Sequence, residues 1–192
     1  MADPQHVPEL DSFDELTVKL YRLGLLFTTS GLLAMSAVLA MAFYGQTTGD
    51  LLDRGPVILM CLGMGLSVAS MHLYDKRIRW IIRMTSWLGI LLLMTAASLE
   101  PEYEHFTHSL GLGFVFASAS AFALKEQFCF RLAALRLVPV FLSVSAFALW
   151  LEVPALSASL IGMTGIIYAR LSLAKVSMPL HYDVGDKSKY EA

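Results

Sequence analysis

Residues 23–44 read LGLLFTTSGLLAMSAVLAMAFY and contain no charged side chain. About 20 apolar residues are enough for a helix to cross the roughly 30 Å hydrocarbon core of a bilayer, because each residue adds about 1.5 Å. A cleavable signal peptide has a shorter apolar run and a basic beginning, whereas the residues before this run are rich in acids. Residues 23–44 therefore predict a retained first transmembrane helix.

Five more apolar runs follow the first, and short polar or charged segments separate them. The 192-residue chain is 56% hydrophobic and only 16% charged. Soluble proteins carry about 25% charged residues, so this chain lacks the side chains that keep a soluble surface wet. The sequence predicts an all-α integral membrane bundle of six transmembrane helices, with the later five at residues 55–74, 80–99, 106–124, 132–151 and 155–169.

The predicted helices divide the chain into three parts. Residues 1–22 are expected to form an N-terminal cytoplasmic or interfacial segment, residues 23–170 the transmembrane domain, and residues 171–192 a cytoplasmic tail. Ser12 and Glu15 have the spacing of a capping box, which predicts a short interfacial helix. A single helix that continues into the first span is the alternative.

The basic residues predict the orientation of the bundle. With the N-terminus inside, 13 of the 14 Lys and Arg residues fall on the inner side, and only Arg54 falls outside. All the loops are short, so the positive-inside rule applies to them. We therefore expect both termini on the cytoplasmic side.

Small residues at intervals of four predict where helices pack, because membrane helices associate by close approach. The stripes are Ser109, Gly113, Ala117 and Ala121 in the fourth run, Cys61, Gly65 and Ala69 in the second, and Gly165 and Ala169 in the sixth. We interpret them as packing surfaces. A substrate path along Ser118 and Ser120 is the alternative.

The segment from Lys125 to Arg131 is the most distinctive polar stretch, and we expect it to form an inner loop. Lys125 and Arg131 flank Cys129, and nearby cations favour the thiolate form of a cysteine. We interpret the segment as a structural loop that anchors two helices. A binding surface and a reactive thiol are the alternatives.

Two arginines, Arg83 and Arg136, lie about one turn inside the inner boundary of their predicted helices. Long basic side chains near helix ends ordinarily extend to the interface. The alternative is a binding site for an anionic lipid or a small anion. Its residues would be Arg83, Lys125, Arg131 and Arg136.

On the outer side, His105 and His108 share one helix face and are weak candidates for a metal site together with nearby glutamates. No zinc motif supports them, and a solvated acidic loop is the simpler interpretation. The sequence contains no phosphate-binding glycine loop or nucleophile elbow, so it predicts no catalytic residue, no metal and no cofactor. The net charge of −2 argues against nucleic acid as a partner.

Three short motifs resemble those of a known family. They are the inner-loop motif Lys125, Glu126, Phe128, Cys129 and Phe130, the tail motif Asp183, Gly185, Asp186 and Lys187, and His72-Leu73-Tyr74 at the end of the second run. In these motifs the chain resembles the uncharacterised integral membrane proteins of cyanobacteria and plastids, classed as a domain of unknown function. The resemblance implies a photosynthetic-cell membrane and brings no catalytic residue, cofactor or substrate.

Three classes of function remain open. The leading hypothesis is a non-enzymatic accessory or scaffold protein of a plasma or thylakoid membrane, with the bilayer, membrane proteins or a second copy of the chain as partners. A small transporter or permease subunit and a membrane thiol or metal enzyme are the alternatives. Acids in the middle of the membrane would favour transport, and none falls there in the predicted spans.

Overall fold

The computed structural model describes residues 10–46, 49–130 and 132–184, with the backbone alone at residues 50, 51, 129 and 130. Six of its helices are long and apolar enough to cross a membrane, as the sequence predicts. They are α1 (Ser12–Phe43), α2 (Asp50–Ala69), α3 (Lys76–Ala96), α4 (Pro101–Phe130), α5 (Val138–Trp150, preceded by a 3-10 helix at Ala133–Leu137) and α6 (Pro154–Val176). A short helix, α7 (His181–Val184), follows them.

The first helix begins at Ser12 and runs without a break to Phe43, so a separate interfacial helix is wrong and the continuous helix is right. The cap lies one residue before the predicted one. Asp11 accepts a hydrogen bond from the Asp14 backbone at 2.8 Å, and Asp14 accepts one from the Asp11 backbone at 3.2 Å. This reciprocal pairing satisfies two backbone donors at the helix start.

The predicted inner ends of two helices are too early. We expected the fourth helix to stop at Leu124 and the sixth at Ala169, before charged residues. Instead, α4 continues to Phe130 and α6 to Val176, so that Lys125, Glu126 and Lys175 lie within helices. The prediction assumed that charged residues after an apolar run lie in water and mark the end of the helix. These three residues are instead paired inside the bundle.

The second helix differs in the opposite direction at its inner end, because it stops at Ala69 instead of residue 74. His72 lies in the following loop, where its Nε2 is 3.0 Å from the Thr17 hydroxyl of α1. The positions of two prolines within their helices also differ from the prediction. Pro56, the predicted helix start, lies inside α2, whereas Pro139, predicted within a helix, stands in the first turn of α5, where its missing N–H costs little.

The six long helices form a ring in which each packs against its neighbours. α1 packs extensively on α2 and α6, and α4 on α3, while α5 packs to a similar extent on α4 and α6. The seam between α2 and α3 closes the ring with the least contact. The ring therefore has one loosely packed side.

Glycines allow the closest helix approaches, although mostly at positions other than the predicted stripes. A Cβ atom added at Gly63 of α2 would lie 2.4 Å from the Thr28 backbone nitrogen of α1. The predicted stripe on α4 is wrong, because a Cβ at Gly113 would meet nothing within 4 Å and Ala117 is exposed. The prediction for Gly165 of α6 is confirmed, since it lies against Leu33 of α1.

Candidate functional site

The inner end of the bundle contains a buried carboxylate, Glu126 of α4, whose side chain is only 1% exposed. The hydroxyl of Tyr21 in α1 donates a hydrogen bond to its Oε1 atom. The Lys175 ammonium of α6 lies 2.9 Å from its Oε2 atom, and the Lys125 ammonium lies 3.4 Å from Oε1. Three helices therefore meet at one carboxylate.

A second carboxylate, Asp183 of α7, extends this arrangement toward the tail. The Lys175 ammonium donates to its Oδ1 atom. The Arg22 guanidinium of α1 contacts its Oδ2 atom through two nitrogens, at 2.8 Å from Nε and 2.7 Å from Nη2. Arg22 also donates to the carbonyls of Met178 and Pro179, at 2.7 and 3.0 Å. The segment after α6 is thus fastened to α1.

Aromatic rings pack beside the charged groups of this site. The Lys125 and Lys175 ammonium nitrogens lie 4.6 and 5.1 Å from the ring centroid of Tyr21, within the range of cation–π attraction. The ring of Phe122 packs beside Tyr21 at a centroid distance of 5.8 Å. We call the six polar members the inner cluster: Tyr21, Arg22, Lys125, Glu126, Lys175 and Asp183.

The inner cluster holds three cations and two carboxylates, all in contact with an opposite charge. Removing such groups from water is costly, and only mutual pairing and hydrogen bonds offset that cost. Because the pairs join α1, α4, α6 and α7, they fix the relative positions of those helices at the inner end. The arrangement is therefore a set of ion pairs that holds these helices together.

The predicted anion-binding residues do not share one partner in the described part of the chain. Lys125 belongs to the inner cluster, and the Arg83 Nε atom donates to the Val68 carbonyl at 3.3 Å. The Arg136 guanidinium faces the side-chain amide of Gln127, whose oxygen, turned toward it, lies 2.6 Å from Nε. Arg131 lies outside the described residues. The anionic site stays a prediction.

The two family-like motifs are connected by Lys175, which the sequence analysis assigns to the tail. Lys175 joins Glu126 of the first motif to Asp183 of the second. Phe128 is 75% exposed at the bundle surface. The side chains of Cys129 and Phe130, and residues Gly185, Asp186 and Lys187, lie outside the described part.

The burial of Lys175 follows the helical periodicity that the structure shows along α6. The buried residues of α6 recur at intervals of three and four, and Lys175 continues that series to the end of the helix. The series is Ile161, Thr164, Gly165, Tyr168, Leu171, Ser172 and Lys175. We missed it because a lysine after a transmembrane run ordinarily marks the interface.

The outer histidines lie apart from the inner cluster, near the beginning of α4. His105 Nε2 is 3.8 Å from a carboxylate oxygen of Glu152, and both side chains are largely exposed. His108 and Glu104 line a groove between α2 and α3. Among the described residues, no three His, Cys, Asp or Glu side chains come together as a metal site.

The region that contains both motifs matches a known protein family. A family model described as uncharacterized integral membrane protein (DUF2301) matches residues 66–191, which include the inner-loop and tail motifs. An uncharacterized protein of Haemophilus influenzae is 28% identical over 192 residues, covering 100% of this chain and 99% of the relative. No solved structure matches the chain.

Proposed function

This chain belongs to the DUF2301 family of integral membrane proteins, and we propose that it serves as a non-enzymatic accessory or scaffold protein that binds a partner membrane protein at its inner end. The family and the multi-pass membrane location expected from the sequence are confirmed. The thylakoid location implied by the resemblance stays a prediction.

This proposal rests on the pairing of the charged side chains of the inner cluster with one another. The side chains of Glu126, Lys175 and Asp183 are 1%, 3% and 6% exposed, and Lys175 contacts both carboxylates. Groups that act on a substrate need access to it, whereas groups that lock helices together need burial. The inner cluster therefore supports a rigid binding platform over a catalytic site.

Exposed apolar side chains near the inner ends of α4 and α5 offer a contact surface for a second membrane protein. Phe128 at the end of α4 and Leu137 before α5 are 75% and 48% exposed. Aromatic side chains are favoured anchors of protein interfaces, because they bury a large area with few rotatable bonds. A second copy of this chain is one form that the partner can take.

A photo-crosslinking amino acid at Phe128 tests the proposal in native membranes. Phe106 is the matched control, because it is also a phenylalanine of α4, is 59% exposed and lies near the opposite end of the helix. We expect a discrete protein adduct from position 128 and none from position 106. Absence of an adduct at 128, or equal adducts from both positions, would contradict a partner at the inner end.

The transporter alternative keeps one observation in its favour, the acid buried near the inner end of α4. Buried ionisable residues in transmembrane helices frequently belong to ion or proton pathways. Proteoliposomes on a solid-supported membrane would give a current after a pH jump if Glu126 carried protons. A current that Glu126→Gln abolishes would favour transport over the scaffold.

A further inference from the structure

The loosely packed seam between α2 and α3 contains a groove with a volume of about 940 Å³. This is within the range of about 300–1,000 Å³ that small-molecule sites occupy. The exposed side chains of Ile58 and Leu62 on α2 and of Met94 on α3 stand along its edges. The groove therefore opens sideways toward the lipid, at a different place from the inner cluster.

The groove exists because small residues of α2 face large residues of α3. Cys61, Gly65 and Ala69 stand one turn apart on α2, and all three line the groove. A Cβ atom added at Gly65 would lie 3.7 Å from the ring of Trp87 on α3, in ordinary contact and without overlap. The stripe that the sequence assigned to helix packing thus forms one wall of the groove.

The lining is polar at one end only. Asp53 and Arg54 at the beginning of α2, and Glu104 and His108 at the beginning of α4, surround the outer end. From Asp53 to Ala69 the groove follows α2 for about 24 Å at 1.5 Å per residue, most of the roughly 30 Å hydrocarbon core. An elongated apolar molecule with one polar head matches this shape.

The charges at the outer end select the head group. Among the described residues that line this end, the charged groups are two carboxylates, Asp53 and Glu104, and one guanidinium, Arg54. Guanidinium binds phosphate through paired charge-assisted hydrogen bonds, and a primary ammonium donates hydrogen bonds to carboxylates. A head that carries a phosphate without an ammonium would meet more negative than positive charge here. A choline head carries a cation that has no N–H to donate.

We propose that this groove is a binding site for a zwitterionic aminophospholipid. The phosphate lies at Arg54, the primary ammonium at Asp53 and Glu104, and the acyl chains along the wall formed by Cys61, Gly65 and Trp87. This site is independent of the proposed partner surface at the inner end.

Native mass spectrometry of the purified chain tests the site directly. The protein is incubated with equal amounts of phosphatidylethanolamine, phosphatidylglycerol and phosphatidylcholine that carry identical acyl chains, and the retained lipid is counted. We expect several-fold more phosphatidylethanolamine than either other lipid. Arg54→Gln should reduce its retention about threefold to fivefold, the effect of losing a partly exposed ion pair.

A steric variant and its control separate the groove from the general lipid shell. Gly65→Phe fills the groove and should abolish the preference, while Gly113→Phe adds the same side chain where a Cβ meets nothing within 4 Å and should keep it. Equal retention of the three lipids by the unaltered protein would overturn the proposal, whether or not Gly65→Phe folds. So would an unchanged preference in Arg54→Gln.

Discussion

Lys175 is the residue on which the inner cluster depends, because its ammonium lies between the carboxylates of Glu126 and Asp183. A buried ion pair is weak support for stability compared with apolar packing, but the loss of one partner leaves the other charge buried without compensation. The charged side chains here thus make the fold sensitive to single substitutions more than they make it stable.

Lys175→Met should therefore destabilise the protein by about 3–5 kcal/mol. Lys19→Met is the control, because the Lys19–Glu15 pair at 3.1 Å has side chains that are 61% and 48% exposed. Exposed pairs contribute about 0–1 kcal/mol, so this variant should melt like the unaltered protein. The melting temperature in detergent, followed by size-exclusion chromatography of heated samples, measures both.

The double variant Lys175→Met/Glu126→Leu distinguishes an uncompensated charge from a simple loss of packing. Removing both charges should restore part of the stability, because Glu126 is then no longer a buried carboxylate without Lys175, while Asp183 keeps Arg22 as its partner. A double variant no more stable than Lys175→Met alone would show that the inner cluster does not act as a set of charge pairs.

The two cysteines should differ in their access to water. Cys61 stands near the middle of α2 and lines the groove, whereas Cys129 is the second-last residue of α4 at the inner end. An aqueous maleimide added to inverted vesicles should label Cys129 and spare Cys61. The two lie roughly 20 Å apart in depth, and a disulfide requires Cα atoms within about 7 Å. A Cys61–Cys129 disulfide in a non-reducing peptide map would contradict the helix assignment.

At the scale of the helices, the contact between α1 and α2 depends on backbone approach. A Cβ atom at Gly63 would lie 2.4 Å from the Thr28 nitrogen and 2.6 Å from the Gly24 carbonyl oxygen. Backbone atoms cannot move aside as the end of a flexible side chain can. The two helices must therefore separate if Gly63 carries a side chain.

Gly63→Ala should lower stability by about 1–3 kcal/mol, the usual cost of overpacking. Gly113→Ala adds the same methyl group where nothing lies within 4 Å, and its higher helix propensity should leave stability unchanged or raise it by up to about 1 kcal/mol. Melting temperatures compared in one detergent decide the matter. Equal losses of stability in both variants would show that the α1–α2 contact does not depend on close approach at Gly63.

Hydropathy predicts the number of helices well but their ends less well. Long apolar runs must be helical in a bilayer, because no water satisfies their backbone groups, so the six spans could be read from the sequence. The sequence predicts a fourth helix that ends before Lys125 and assigns Lys175 to the tail, because a lone sequence does not reveal which charge has a partner. Their partners, Glu126 and Asp183, become visible only once α4, α6 and α7 meet.

At the scale of the whole molecule, the order of the helices in the ring determines where a groove forms, which the sequence alone does not reveal. The groove between α2 and α3 arises because these consecutive helices pack more tightly on α1 and α4 than on each other. No local pattern distinguishes the small residues that line a groove from those that form a close contact. Gly65 and Gly63 are two residues apart, yet only a Cβ atom added at Gly63 would lie within 3 Å of a neighbouring backbone.

The contact between Arg22 and Asp183 places both ends of the described chain at one end of the bundle. The proposed partner surface requires that end to face the cytoplasm, as the 13-to-1 division of basic residues predicts. A reporter enzyme that works only outside the cytoplasm tests this requirement when fused after Glu102, Arg77 or Lys175. We predict activity after Glu102 and silence after Arg77 and Lys175. An active fusion at Arg77 would contradict the orientation and, with it, the inner partner surface.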